Sequence, residues 1–255
     1  MNDRYDLCHV LARDAGKLAH RAFGASDAML KGRHDVVTAM DREVERYIRA
    51  AIAARYPQDA VIGEEEGGGG GERVWIIDPI DGTANYARGV PRYCVSIGYV
   101  ERGAPVFGAI YDPSHDWLYA GARGEGAWRD GERLAVSPVD DVHAATVECG
   151  WSTRRPASAY VDMIGRVLEA GGAVVRAGSG ALGLADVAAG RVEAYAELHI
   201  NAWDCAAGIV LVKEAGGFTN DFFAGEGLRA GNPLLATNAA LRGKLAAVIG
   251  IPVTN

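Results

Sequence analysis

Three acidic stretches of this 255-residue chain carry carboxylates in patterns that suit metal chemistry. In Trp75-Ile-Ile-Asp78-Pro-Ile-Asp81-Gly-Thr83 an apolar strand runs directly into Asp78. Pro79 is expected to forbid its continuation inside a sheet, so the chain should turn and leave Asp78 and Asp81 close together. Two carboxylates at a turn can bridge hard cations such as Mg²⁺, which take oxygen ligands and keep several waters. If the amides of Gly82 and Thr83 open a helix, they would also face a phosphate oxygen. Val61-Ile-Gly63-Glu64-Glu65-Glu66 repeats the design of an apolar strand ending in carboxylates. In Asn201-Ala-Trp203-Asp204-Cys205, Asp204 opens an apolar helix. Each stretch has a plainer reading: a surface turn, a solvated charge run, a first-turn acid favoured by the helix dipole. The strand leading straight into Asp78 weighs against the surface turn.

Positioning such groups takes a framework of helices and strands. Leu7, Val10, Leu11, Ala15, Leu18 and Ala22 recur at helical spacing, with Gly24 as a stop. A second helix is expected from Thr38, where Thr38 and Asp41 have capping-box spacing, to Tyr56-Pro57. Strands are expected at Ala60–Ile62 and Val74–Ile77, and the five glycines Gly67–Gly71 between them read as a mobile loop. From Cys94 to Trp128 the pattern is an antiparallel meander with turns at Gly103, Asp112-Pro113 and Asp130-Gly131. Beyond about residue 140, strands at 145–149, 173–176, 192–196 and 234–237 interleave with helices at 157–170, 180–189, 203–215 and 238–248. The class is therefore α+β in layers. Residues 1–255 are expected to form one fused body, with an N-terminal half to about 140 and a C-terminal half from about 141.

Composition narrows the function. Apolar residues make up 49% of the chain, enough for a sizeable core. The net charge of −7 argues against a nucleic-acid or acidic-membrane partner, so an anionic substrate would need bound cations to attract it. Cys8, Cys94, Cys149 and Cys205 are scattered, without zinc-site spacing or an evident disulfide framework. With no signal-peptide order at the N-terminus and no apolar run of spanning length, the expectation is a cytoplasmic protein.

Gly63-Glu64-Glu65, Asp78-Pro-Ile-Asp81-Gly-Thr83 and Trp203-Asp204, followed by Glu214-Ala-Gly-Gly217, resemble in order and separation the signatures of the inositol monophosphatase family. The similarity runs over nearly the whole chain. It implies a layered α-β-α-β-α sandwich, two or three Mg²⁺ ions (or Mn²⁺), lithium sensitivity, a small phosphorylated alcohol as substrate and a homodimer. By position, the resemblance implies that Glu64, Asp78 and the carbonyl of Ile80 hold a first ion, and Asp78, Asp81 and Asp204 a second. Thr83, hydrogen-bonded to Asp41, would orient and deprotonate the attacking water. Asp81, Gly82, Thr83, Gly180, Glu197 and Asp204 would meet the substrate, Glu197 through its hydroxyls. His34-Asp35-Val-Val-Thr38-Ala-Met-Asp41 is similar to a further family segment, although Lys31-Gly-Arg-His-Asp35 is one residue shorter than the family's usual pattern. Gly178-Ser-Gly-Ala181 resembles the segment bordering the substrate ring, with Gly180 and Gly183 where bulkier residues are common.

This chemistry needs such groups. Phosphomonoester hydrolysis is among the slowest uncatalysed reactions, and a dianionic ester repels its nucleophile. Two Mg²⁺ ions can bind the attacking water, neutralise phosphoryl oxygens and support the leaving alkoxide. No P-loop and no Ser or Cys triad is present as an alternative. His199 and Cys205 read as packed side chains, and Trp203 as a wedge beside Asp204. Inositol 1-phosphate is the first expectation for the substrate. Histidinol phosphate, fructose 1,6-bisphosphate and a 3'-phosphoadenosine nucleotide are alternatives, as is a regulatory protein that contacts the transcription machinery.

Overall fold

The computed structural model describes residues 3–24, 28–32 and 35–252, with side chains described throughout except at 28–32 and 35–37. His34 lies outside the described residues, as do the side chains of Lys31 and Asp35.

Helices α1 (Asp3–His20) and α2 (Ala39–Arg55) flank a short antiparallel pair, β1 (Ala28–Gly32) and β2 (Asp35–Thr38). There follow β3 (Ala60–Gly63), β4 (Gly67–Gly68), β5 (Arg73–Asp81) and a one-turn helix α3 (Thr83–Tyr86). The meander is β6 (Cys94–Glu101), β7 (Ala104–Asp112), β8 (Trp117–Ala122), β9 (Gly126–Arg129) and β10 (Glu132–Arg133). These strands form an eight-stranded sheet in the order β10-β9-β8-β7-β6-β5-β3-β4. The C-terminal half runs β11 (Thr146–Cys149), α4 (Ala157–Glu169), β12 (Ala173–Val175), α5 (Gly180–Ala188), β13 (Ala194–Ile200), α6 (Ala202–Glu214), β14 (Phe218–Thr219), α7 (Gly227–Ala230), β15 (Asn232–Thr237) and α8 (Arg242–Ile249). Its five-stranded sheet has the order β12-β11-β13-β15-β14.

Period-two alternation sorts the apolar side chains into three buried clusters and hence five layers. Trp75 and Ile77 face α1 and α2, joining Leu11, Val44 and Ile48. Val74 and Ile76 face the other way, joining Leu184 of α5, Ile209 and Leu211 of α6, and Tyr195 and Leu234 of the second sheet. The far face of that sheet, with Ala194, Ala196 and Leu235, is covered by Met163 of α4 and Leu245 of α8. The expected α-β-α-β-α sandwich is present. Helix α6 is the central helix and is buried almost all round, as a helix between two sheets must be. Gly98 and Gly108 let it sit directly on β6 and β7, where a Cβ at 98 would stand 2.8 Å from Ala206 Cβ. That close approach sets the height at which the first turn of α6 presents Asp204.

Two local expectations are corrected. The strand does not end at Pro79: β5 pairs Asp78 with Ser96 and Asp81 with Cys94, so three steps on β5 match two on β6. The surplus residue is a β-bulge, which leaves the proline outside the regular ladder while the sheet continues. The glycine run is also partly ordered, since Gly67 and Gly68 pair with Gly63 and Ile62 as β4. Gly68 has φ +142°, and a Cβ there would collide with the carbonyl of Val61. In addition, α8 begins at Arg242, because the Asn238 side chain donates to the carbonyls of Ser137 and Val139 instead of continuing a helix.

Candidate functional site

The bulge in β5 is where the site begins. Asp78 and Asp81 stand at the C-terminal end of β5, next to the end of its parallel neighbour β3 (Gly63 opposite Ile77). The Glu64 amide donates to the Ile77 carbonyl at 3.2 Å, bringing the first residue after β3 to the same sheet end. Asp204 arrives from the second half of the chain as the third residue of α6, where its Oδ2 accepts from the Asn201 amide at 3.0 Å. Asp204 is thus a first-turn acid, as its plainer reading has it, and the same side chain also points into the acidic group. One carboxylate oxygen from each of Asp78, Asp81 and Asp204 lies within 4.8 Å of the other two. Glu64 is outside that trio but beside it, as the largest charge acting on Asp78.

Electrostatics identify what the cluster lacks. Asp78 is 1% exposed, and burial pushes its pKa well above the usual carboxylate range, reinforced by Glu64, Asp81, Asp204 and Asp41. Burial and then the Asp81 charge push Asp204 to about 7, against the lowering effect of its bonds to Asn201. Asp81 is raised by burial too, and donors from the start of α5 oppose that rise. Ser179 Oγ donates to Asp81 Oδ2 at 2.5 Å, Ala181 N to the same oxygen at 2.7 Å, and Gly180 N to Oδ1 at 3.3 Å. Arg92 also opposes the rise on Asp81, but its guanidinium is bonded to Asp186 and Glu148. Crowded, dehydrated carboxylates fit hard divalent cations, which prefer oxygen donors.

Thr83 and Asp41 meet as expected. The Thr83 hydroxyl lies 3.1 Å from Asp41 Oδ1 and 2.8 Å from the Ile80 carbonyl oxygen, two acceptors for one proton. The other Asp41 oxygen accepts from the Thr38 amide at 2.8 Å and from the Thr38 hydroxyl at 2.6 Å. Gly82 has φ +90°, which makes the sharp entry into α3, and a Cβ there would stand 2.8 Å from the Arg92 carbonyl. Helix α3 does open at Thr83, as anticipated.

A cleft of 1240 Å³ opens above these groups, walled by Glu64, Asp81, Asp204, Gly180 and Glu197 among others. Glu197 is buried, accepts from the Tyr195 hydroxyl at 2.6 Å, and is pushed to about 8, chiefly by burial. Gly150 leaves room for this pair, since a Cβ there would strike both the Glu197 carboxylate and the Tyr195 hydroxyl. At Gly180 a Cβ would lie 3.0 Å from the Tyr195 hydroxyl, so its small size matters at the wall. Gly183 is not itself at the wall: it makes room for Tyr195 and for Glu148, which are. His199 and Trp203 also line the cleft; the His199 Nε2 bonds the Ala230 carbonyl at 2.9 Å, and Trp203 packs on the central core. Cys205 is buried, with its thiol 3.2 Å from the Asn201 carbonyl.

Sequence reasoning missed the groups that hold the site. Glu45, one helical turn after Asp41, is fully buried beneath the Glu64 loop. Its i,i+4 spacing from Asp41 on one helix face was the available signal. Ser179 and Arg92 were also missed. The Arg92 guanidinium donates to Asp186 at 2.8 Å and Glu148 at 3.2 Å, while its carbonyl accepts from Asn85 at 2.9 Å. That clasp ties the segment before β6 to α5 and β11, and no local motif announces it. Among the described residues no helix is long and apolar enough to cross a membrane.

Comparison with known proteins agrees with this geometry. The model of the inositol monophosphatase family matches residues 4–250. The chain is 38% identical over 217 residues to the Nus factor SuhB of Xylella fastidiosa, covering 83% of this chain and 79% of that protein. It is 37% identical over 254 residues to a Thermotoga maritima protein named fructose-1,6-bisphosphatase/inositol-1-monophosphatase, covering 97% and 96%. The crystal structure of the extragenic suppressor protein SuhB from Bartonella henselae superposes with a TM-score of 0.90 at 30% identity, covering 99% of this chain and 100% of that one. With a match spanning almost its full length and the acidic trio in place, the chain belongs to the inositol monophosphatase family.

Proposed function

We propose that the protein is a phosphomonoesterase that requires Mg²⁺, or Mn²⁺ in its place, and hydrolyses a small polyol phosphate such as inositol 1-phosphate. The observation that carries this reading is the convergence of Asp78, Asp81 and Asp204, with Glu64 beside them, at the foot of a cleft whose wall holds Glu197. Glu64, Asp78 and the Ile80 carbonyl would hold one ion, and Asp78, Asp81 and Asp204 another. Such a pair, when bound, neutralises phosphoryl oxygens and acidifies a water near neutral pH.

The protein's own groups do the rest. If the Ile80 carbonyl is taken up as a ligand, the Thr83 proton is left to Asp41, and the Thr83 oxygen is free to accept from a water. Asp41 itself is fixed by the Thr38 amide and hydroxyl, so the relay is pre-aligned. Glu197, held by Tyr195, keeps a second oxygen for a polyol hydroxyl. The Asp81 carboxylate is held by the start of α5, which couples the metal end of the cleft to the Gly178–Ala181 wall.

A phosphate-release panel with Mg²⁺ titrated from zero tests this reading. Release from inositol 1-phosphate, absent without metal and exceeding that from histidinol phosphate, is the expected result. Faster turnover of fructose 1,6-bisphosphate would move the substrate toward the activity named for the Thermotoga maritima relative. A second reading, a regulatory protein that contacts transcription machinery, draws on the name of the Xylella fastidiosa relative. Capture of transcription proteins from a cell extract, with no monoester hydrolysed when Mg²⁺ is supplied, would favour it.

A further inference from the structure

We propose that Glu45 is a positioning residue for the metal centre: it fixes the backbone that presents Glu64 by binding the two amides that follow it. The inference rests on the metal-dependent reading above and assigns a task to a side chain that lies off the cleft wall. Glu45 Oε2 accepts from the Glu65 amide at 2.8 Å, and Oε1 accepts from the Glu66 amide at 3.1 Å. Arg49, one turn further along α2, donates its Nε to Oε1 at 2.8 Å and a second nitrogen to the Gly67 carbonyl. Each end of the turn after β3 is therefore bound to α2.

Consecutive amides converging on one carboxylate form a concave anion-binding nest, here filled from inside the protein. Such charge-assisted bonds are the strong ones. The Glu45 side chain is fully buried, so an alternative solvent-bonded state is closed to it. Gly63 is part of the same device: a Cβ at that position would collide with the Glu45 carboxylate, so only glycine before Glu64 lets the nest close. The same helix face carries Asp41, which is bonded to Thr83. Thus α2 uses two buried acids one turn apart to hold two sheet ends, Asp41 the end of β5 and Glu45 the end of β3. The side chain between the Glu45-held amides and the β3 ladder is Glu64, whose own amide is bonded to Ile77. Loss of Glu45 frees one side of that anchorage and lets the Glu64 carboxylate wander from Asp78.

The test is metal binding without substrate, measured as the rise in melting temperature with MgCl₂ concentration, together with steady-state kinetics. Glu45→Gln is the informative variant, since donors approach both oxygens and its amide nitrogen must face one of them in either orientation. The expected result is a Mg²⁺ half-saturation concentration raised about tenfold, the range for groups that orient metal ligands. At saturating Mg²⁺, kcat and substrate KM should stay within about threefold of the parent, a split that a general folding defect does not produce. Should Glu45→Gln not fold, Arg49→Met decides: it keeps both amide contacts, and a shift of at least about twofold in the same direction supports the inference. A half-saturation matching the parent in whichever variant folds overturns it. If the unsubstituted protein itself neither responds to Mg²⁺ nor releases phosphate, the metal reading fails first and takes this inference with it.

Discussion

The backbone bond from Glu64 N to Ile77 O, 3.2 Å long, seats Glu64 beside Asp78 at the shared end of two parallel strands. Two carboxylates are thereby forced together by sheet register, in a place where burial already disfavours the charge on Asp78. Structure that gathers like charges at its own cost calls for a bound cation to offset them.

Asp78→Asn follows from this. Removing one buried charge should relieve repulsion, so the metal-free variant should melt above the parent at pH 8. The same change should lower metal-dependent kcat by about 10²-fold or more, since ligand placement is what the reaction depends on. Melting in EDTA beside a phosphate-release assay measures both. Parental turnover in the variant would sink the assignment of Asp78.

Thr83→Val separates proton handling from metal holding. Valine keeps the shape but removes the hydroxyl that bonds Asp41 and the Ile80 carbonyl. A fall in kcat of about 10²–10³-fold is expected, within the range for general acid–base contributions. The Mg²⁺-induced rise in melting temperature should persist. Loss of that rise would instead make Thr83 a support for the metal site.

Stability should depend on pH in an unusual direction when metal is absent. Asp204 is pushed to about 7, Glu148 to about 7 and Glu197 to about 8, each chiefly by burial. Their unfolded values lie near 4. Between about pH 4 and pH 8 the folded protein therefore holds more protons than the unfolded chain, and folding weakens as pH rises, by up to about 1.4 kcal/mol per unit for each such group. In EDTA the melting temperature should drop by about 5 °C or more from pH 5.5 to pH 8.5. Saturating Mg²⁺ should flatten the slope, because a cation takes the place of the protons. An EDTA profile that rises with pH would contradict the raised pKa values.

Much of the site was legible because its ligands are delivered by local patterns: an apolar strand into Asp78, another into Glu64, a helix start at Asp204. The helix and meander signals were equally local, and Asp130-Gly131, with φ of +46° and +88°, does make the hairpin turn. Pro79 misled because a bulge accommodates a proline that a regular ladder would reject. The Gly67-Gly68 pairing was invisible because glycine's strand propensity is poor, and only the partner strand supplies the reason for it. Glu45, Ser179 and Arg92 escaped notice since these partners lie 20 to 98 residues away, where spacing carries no signal. Their partners depend on how the layers stack.

Glu197→Gln probes selectivity apart from catalysis. The Tyr195 hydroxyl can still donate to the Gln carbonyl, so the wall should keep its shape while the second carboxyl oxygen becomes an amide nitrogen that only donates. With inositol 1-phosphate, KM should rise about tenfold, the cost of one weakened hydrogen bond to a hydroxyl. With p-nitrophenyl phosphate, which has no polyol hydroxyls, kcat/KM should change less than about twofold. The contrast between the two esters carries the argument: a residue that reads hydroxyls leaves an ester without them untouched, whereas a residue that supports the metal ions slows both. Equal losses on the two substrates would move Glu197 from the recognition wall to the support of Asp204, a neighbouring charge that raises its pKa.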